Sequence, residues 1–164
     1  MDLKILIFPD PRLRIKAKEI RSLDQEVESN LTKIFDLMYE KDGIGLAATQ
    51  IGINQRFFVY DITEEKREPK IVINPKIIWK SSEKIVYNEG CLSIPGLRLP
   101  IDRSKRIKVL WLDEKGNEYQ KELEDLESIL FQHEIDHLDG KLIIDKLPAD
   151  ERKRVIESLN SQNR

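Results

Sequence analysis

The chain contains only two histidines, and they stand four residues apart in the string His133-Glu134-Ile135-Asp136-His137. Residues i and i+4 lie one turn apart on the same face of a helix, so the two imidazoles can bind one metal ion. Glu134 lies beside them around the helix, where a carboxylate can accept a proton from metal-bound water. The string therefore predicts a metal-dependent hydrolytic site rather than two unrelated core histidines.

Two histidines leave a tetrahedral site short of a ligand, which a Glu, Asp, His or Cys elsewhere must supply. The absence of a third histidine excludes the zinc peptidase patterns that continue HExxH with a further histidine. The single cysteine, Cys91, is the obvious candidate, although a lone cysteine is more often a small buried apolar residue. The choice between these interpretations depends on the wider sequence pattern.

Three segments of the chain, taken in order, resemble the motifs of the peptide deformylase family. They are Gly43-Ile44-Gly45-Leu46-Ala47-Ala48-Thr49-Gln50, Glu89-Gly90-Cys91-Leu92-Ser93 and Gln132-His133-Glu134-Ile135-Asp136-His137. The resemblance continues between the motifs and covers nearly the whole chain. Each motif alone is weak or general, but all three in this order are specific.

The resemblance implies a metal site of Cys91, His133 and His137 and an activity that removes the formyl group of N-formylmethionyl polypeptides as formate. Glu134 would act as general base and then general acid, and the Gln50 side-chain amide and Leu92 backbone N–H would stabilise the oxyanion. Substrate contacts are expected from nine further residues: Ile44, Gly45, Tyr87, Glu89, Arg98, Arg103, Leu126, Ile129 and Leu130.

Two groups within this outer set have competing interpretations. Glu89 and Arg103 correspond to family positions that pair near the site, whereas an isolated arginine is more often a solvated surface charge. Leu126, Ile129 and Leu130 fit a pocket for the methionine side chain and equally fit plain core, because their helical spacing predicts core anyway.

The metal and the reaction class also have alternatives. A His₂Cys site suits Zn²⁺, but the resemblance implies Fe²⁺ as the physiological ion, with Zn²⁺, Ni²⁺ or Co²⁺ able to replace it. One rival function is a small HExxH metallopeptidase, which predicts a downstream carboxylate or histidine as third ligand. The other is a non-catalytic, metal-stabilised binding module, which predicts four Cys or His ligands where the chain has three such residues.

Composition is consistent with one catalytic domain over residues 1–164, since 40% of the residues are hydrophobic and 35% are charged. A net charge of −2 gives no global attraction to nucleic acid, and DNA is not an expected partner. The lone cysteine and the lack of a secretory signal predict a cytoplasmic, bacterial protein with no membrane segment. The basic cluster Arg152-Lys153-Arg154 is typical of a solvated helix face, and the resemblance also permits contact with the ribosome.

The pattern of apolar residues predicts an α+β fold, with mostly antiparallel strands around the HExxH helix and a helix towards each end. The first expected elements are a helix that begins at a capping box of Ser22 and Gln25, strands at 56–62 and 70–79, and a hairpin around residues 107–123. They are followed by the HExxH helix, which ends at Asp139-Gly140, by an apolar run at 142–144 and by a helix from Pro148. Pro75 indicates that the second strand lies at a sheet edge or bends.

Overall fold

Residues 2–162 of the chain, described by a computed structural model, form three α-helices and seven β-strands. In chain order these elements are α1 (Gln25–Glu40), β1 (Gly45–Ala47), β2 (Phe57–Tyr60), β3 (Lys70–Lys80), β4 (Lys84–Gly90), β5 (Arg98–Ser104), β6 (Arg106–Leu112), β7 (Glu118–Glu124), α2 (Asp125–Leu138) and α3 (Ala149–Gln162). The predicted α+β class is confirmed.

The strands form two antiparallel sheets. Five strands pair in the order β1-β2-β3-β6-β7, and β4 and β5 form a separate pair. The predicted hairpin is β6–β7, where Ile107, Val109 and Trp111 alternate with Lys108 and Leu110 and turn into the core. Pro75 lies in β3 between β2 and β6, so the edge alternative is wrong. The bend alternative is confirmed, since the β3–β6 register shifts between Ile73 and Lys76.

Helix α1 begins at a different cap from the one predicted. The Asp24 side chain accepts a hydrogen bond from the Val27 N–H at 2.8 Å, so Asp24 is the N-cap and the capping box assigned to Ser22 is wrong. An aspartate at this position also carries a negative charge that the positive end of the helix dipole favours. The helix packs its apolar face against β2 and β3 through Val27, Ile34 and Met38.

Helix α2 carries the HExxH string and is buried around most of its circumference. The predicted helix is confirmed, and its polar residues Ser128 and Gln132 are buried along with its apolar ones. Both of these side chains donate to the Ser104 carbonyl of β5, at 2.9 Å each, which satisfies them away from water. The helix ends as predicted, with Gly140 at a φ of 75°.

Strands β4 and β5 are the elements that the sequence pattern missed. They pair from Lys84 with Ser104 to Gly90 with Arg98, and they place Glu89 and Arg103 on one face directed at α2. After α2, the apolar run at 142–144 is part of a 3₁₀ turn, Ile143–Lys146, and the predicted last helix is α3. Within residues 2–162, none of the helices combines the length and the apolar character that crossing a bilayer requires.

Asp61 connects three parts of the fold: helix α1, the segment after β2 and the residue that precedes β1. Its buried carboxylate accepts hydrogen bonds from the Tyr39 hydroxyl of α1 at 2.7 Å, from the Thr63 N–H at 2.8 Å and from the Glu68 N–H at 3.1 Å. Its own N–H donates to the Ile44 carbonyl at 2.9 Å. Burial raises the pKa of Asp61, but these hydrogen bonds outweigh burial and lower it overall.

We predict that Asp61→Ala lowers the free energy of unfolding at pH 7 by about 2–4 kcal/mol, because several donors lose a charged acceptor. A carboxylate whose folded pKa lies below its unfolded value stabilises at higher pH and loses that effect as the pH falls through the folded pKa. The difference from the wild type should therefore narrow below about pH 4. Urea denaturation measures the free energy of unfolding of each protein.

Asp36→Ala, which changes an exposed aspartate of α1, is the control and should lower the free energy of unfolding by less than about 0.5 kcal/mol. Equal losses in the two variants would contradict the role of Asp61.

Candidate metal centre and active site

The structure brings the three predicted ligands to one place. The Cys91 Sγ lies 3.3 Å from His137 Nε2, and the Nε2 atoms of His133 and His137 lie 3.2 Å apart. All three donor atoms fall within 4.8 Å of one another, and theirs is the one such cluster of His, Cys, Asp or Glu among residues 2–162. Two imidazoles and a thiolate at this spacing fit a single divalent ion.

A buried ion pair fixes the orientation of His133. The His133 Nδ1 donates to Glu89 Oε1 at 2.8 Å, which directs Nε2 at Cys91 and His137. Both Glu89 oxygens also accept from Arg103, with the Nε and Nη2 contacts at 2.6 and 2.9 Å. Arg103 in turn donates from Nη1 to Asp136 at 2.9 Å.

The predicted pairing of Glu89 with Arg103 is present. Each side chain is only 4% exposed, and the polar atoms of each bond to one another, to His133 or to Asp136. Burial raises the pKa of Glu89, yet its bonds to His133 and Arg103 lower it overall, so the carboxylate stays charged. Both residues position His133 from behind, and the substrate contact expected of each stays a prediction.

The electrostatic environment of the cluster favours a positive charge. Burial lowers the pKa of His133, but its contacts with the Cys91 sulfur and the Glu89 carboxylate, together with the charge of Glu134, raise it to about 10. In His137, burial and the nearby charges of His133 and Arg103 lower the pKa well below its ordinary value. The neutral imidazole is the form that binds metal, and the surrounding anions favour a cation between the three donors.

Thr49 links the HExxH helix to the first motif. Its buried hydroxyl donates to the backbone carbonyl of His137 at 3.0 Å, across 88 residues of sequence. The His137 side chain is almost completely buried, so this bond lies behind the metal ligands rather than in solvent. No role in the site was predicted for Thr49, and the only indication of one in the sequence is its position inside the first motif.

Glu134 lies beside the cluster with one oxygen free. Its Oε1 is 3.8 Å from His133 Nε2, and its buried Oε2 has no hydrogen-bond partner among residues 2–162. Burial raises the pKa of Glu134 to about 7, against the opposing charge of His133. Gly45 makes room for this carboxylate, since a Cβ there would lie 2.9 Å from Glu134 Oε1.

Two hydrogen-bond donors stand on the other side of Cys91. The Gln50 Oε1 accepts from the Ala47 N–H at 2.9 Å, which turns Nε2 towards Ser93 Oγ at 3.1 Å and Cys91 Sγ at 3.7 Å. The Leu92 N–H has no acceptor within the described part of the chain. Ser93 was missed by the sequence analysis, although it lies in the second motif.

A cavity of about 1200 Å³ opens onto these groups. It is lined by eight of the nine residues predicted to contact substrate, all except Arg103: Ile44, Gly45, Tyr87, Glu89, Arg98, Leu126, Ile129 and Leu130. Ile44 and Tyr87 are exposed, whereas Ile129 and Leu130 are buried, and Leu130 also belongs to the core. Pocket and core are therefore not exclusive alternatives for α2, because its apolar residues line the cavity from within the packed helix.

We predict that Glu89→Gln lowers metal affinity by about 10–100-fold, because a neutral amide holds His133 less firmly and leaves Arg103 short of a charged partner. Competition with a chromophoric zinc chelator measures the affinity, and circular dichroism checks the fold. Glu83→Gln is the matched control, since Glu83 is exposed and pairs only with Lys105 at 3.7 Å. Unchanged affinity in Glu89→Gln would show that the ion pair does not position His133.

Comparison with known proteins places the chain in one family. Polypeptide deformylase is the family that matches residues 2–153. Peptide deformylase of Pseudomonas aeruginosa is 42% identical over 162 residues, which cover 99% of this chain and 96% of that protein.

Solved structures agree in fold over nearly the same length. Peptide deformylase of Ehrlichia chaffeensis in complex with actinonin superposes with a TM-score of 0.90 at 36% identity, covering 99% of this chain and 98% of that one. The crystal structure of peptide deformylase from Thermotoga maritima gives a TM-score of 0.84 at 43% identity, covering 90% and 99% of the two chains. The chain therefore belongs to the peptide deformylase family and is an enzyme.

Proposed function

We propose that the enzyme hydrolyses the N-terminal formamide of N-formylmethionyl polypeptides and releases formate. Family membership supports this reaction. The observation that carries it is the Glu134 carboxylate, which lies beside the Cys91, His133 and His137 cluster and has an unpartnered oxygen. A carboxylate in this position can move a proton between water and a leaving amine.

Cys91, His133 and His137 would hold one divalent cation, with Fe²⁺ as the physiological ion and Zn²⁺, Ni²⁺ or Co²⁺ as substitutes. When bound, such a cation supplies Lewis acidity that activates water and polarises a carbonyl oxygen. Glu89 keeps His133 in the tautomer that this role requires.

Glu134 carries the proton through the reaction. Its Oε2 accepts a proton from the attacking water as a C–O bond forms at the formyl carbon. The same oxygen then gives the proton to the methionine nitrogen as the C–N bond breaks, so formic acid and a free amine form. The remaining water proton passes from the formic acid to the amine, which leaves formate and an ammonium group. The burial of Glu134 keeps bulk water from competing for this proton.

Gln50 and Leu92 stabilise the charge that develops on the formyl oxygen. The Gln50 Nε2 and the Leu92 N–H both lie beside Cys91 and are the donors available for an oxyanion. The bond from the Ala47 N–H to Gln50 Oε1 fixes the orientation of the amide before substrate arrives.

The substrate occupies the cavity as an extended strand. Strand β1 has a neighbour on one side only, so the backbone of Ile44 and Gly45 can pair with a polypeptide along its free edge. The methionine side chain enters an apolar pocket, and Arg98 contacts the polypeptide beyond it. The pocket residues are Tyr87, Leu126, Ile129 and Leu130.

The rival functions have weaker support. A metallopeptidase would take a third ligand from downstream of the HExxH string, whereas the third donor here is Cys91 from upstream. A structural metal site would close all four positions, and the cluster supplies three donors among residues 2–162.

We also propose that the chain is a single catalytic domain of the bacterial cytoplasm and that it acts on nascent chains near the ribosome. The exposed Lys153 and Arg154 of α3 offer positive charge for contact with ribosomal RNA or protein.

Formate release from formyl-Met-Ala-Ser by anaerobically prepared, metal-replete protein tests the reaction. We predict that Glu134→Gln, which keeps the shape of the side chain, lowers kcat/KM by about 10²–10⁴-fold with metal content unchanged. No formate from the wild type would overturn the assigned reaction, and full activity in the variant would overturn the role of Glu134. Cleavage of unformylated Met-Ala-Ser would favour the peptidase.

Gly45→Ala tests whether the Glu134 carboxylate needs the space beside it. The added methyl group would lie 2.9 Å from Glu134 Oε1 and would displace the carboxylate. We therefore predict a loss of about 100-fold in kcat with metal content retained. Gly90→Ala is the control next to Cys91, because its Cβ would meet the Arg98 guanidinium at an ordinary 3.5 Å. Similar kcat values for the two variants would contradict this account.

A further inference from the structure

A second groove, of about 980 Å³, lies outside the active-site cavity and is strongly basic. Its lining includes eight lysines and arginines against four aspartates and glutamates. The chain as a whole has 28 basic and 30 acidic residues, so positive charge is concentrated here. A concave surface with one dominant sign of charge focuses the electrostatic field and attracts ligands of the opposite sign.

Three of the basic groups are already neutralised. Arg56 pairs with Asp139 at 2.9 Å, and Asp136 pairs with both Arg103 at 2.9 Å and Lys146 at 3.4 Å. These ion pairs leave the remaining lysines of the groove as the source of its positive field.

Five lysines of the groove have no ion-pair partner within the described part of the chain, and all five are exposed. We call them the groove lysines: Lys16, Lys76, Lys80, Lys84 and Lys141. They come from the segment before α1, from β3, from the start of β4 and from the segment after α2, so the fold collects them from distant parts of the sequence. Only Glu19 and Asp102 oppose them as unpaired acids in the groove.

Strand β3 adds an exposed apolar surface among these charges. Trp79 and Ile78 are 41% and 43% exposed and lie between Lys76 and Lys80 in the sequence. The Lys108 Nζ lies 5.5 Å from the centroid of the Trp79 ring, which supports the ring and adds a further cation. Exposed aromatic rings flanked by cations are the platforms on which unpaired bases stack, whereas an acidic polypeptide would use the lysines but not the flat ring.

We propose that this groove binds single-stranded RNA, with the groove lysines on its phosphates and Trp79 stacked on a base. The backbone charge is recognised by separate lysines rather than by arginine forks, which predicts binding with little dependence on base sequence. This binding uses none of the residues assigned to hydrolysis, so it goes beyond the proposed function and does not rest on it.

The test is titration of the metal-loaded full chain with a fluorescein-labelled oligouridylate of about 12 nucleotides over a series of salt concentrations. Lys76→Glu/Lys80→Glu/Lys84→Glu should weaken binding by about 100-fold at low salt and lower the slope of log affinity against log salt by about 2. The neutral variant Lys76→Gln/Lys80→Gln/Lys84→Gln should show the same change in slope with less charge repulsion. Formate release should stay unchanged in both variants.

Charge reversal at three exposed lysines outside the groove provides the matched control. Lys33→Glu/Lys115→Glu/Lys121→Glu changes the net charge equally, so oligouridylate binding should fall far less. If this control variant lost binding and the groove variant kept it, the proposed location would be wrong. If the wild type bound a polyglutamate peptide and no RNA, the groove would be a site for acidic protein instead.

Trp79 provides a second, independent readout. Trp111 is only 8% exposed, so RNA should quench mainly the fluorescence of Trp79, and Trp79→Phe should remove that signal while keeping most of the affinity. Trp79→Ala should weaken binding by about 5- to 150-fold through the loss of one stacking contact. Unchanged affinity in Trp79→Ala would exclude base stacking.

Discussion

The organisation of the site depends on one buried carboxylate. Glu89 accepts from Arg103 with both oxygens and from His133 with one, and so joins the β4–β5 pair to helix α2. A carboxylate buried this deeply is stable only when its charge is compensated and its oxygens are bonded. The arrangement that satisfies Glu89 is therefore the same arrangement that directs the His133 Nε2 at Cys91, and folding and ligand geometry have a common cause.

Close packing determines the other half of the site. Glu134 is buried next to β1, and the missing side chain of Gly45 provides the space for its carboxylate. Because protein interiors have few voids, a carboxylate in such a position is held by its neighbours rather than by hydrogen bonds of its own. This explains how an oxygen of Glu134 has no hydrogen-bond partner among residues 2–162 while the side chain keeps one position.

Some elements of the fold can be predicted from neighbouring residues in the sequence, whereas others depend on contacts between residues that are distant in the sequence. Helices α1 and α2 and the β6–β7 hairpin follow from periodicity and turn residues, and the pairing of His133 with His137 follows from their spacing. Cys91 as the third donor is implied by the family resemblance. Strands β4 and β5 do not follow from periodicity, because their inward face carries Glu89 and Arg103, which look like surface residues until their mutual pairing is known. The cap of α1 was misplaced for a related reason, since Ser22 and Asp24 are both good caps and only the fold decides between them.

The bond between the Thr49 hydroxyl and the His137 carbonyl has a mechanical consequence. Thr49 precedes Gln50 in a short 3₁₀ turn, Ala48–Ile51, whose residues are all buried. This bond connects the backbone of the HExxH helix at His137 to the turn that carries Gln50. We therefore expect the two side chains to move together, with a separation that varies less than the position of either.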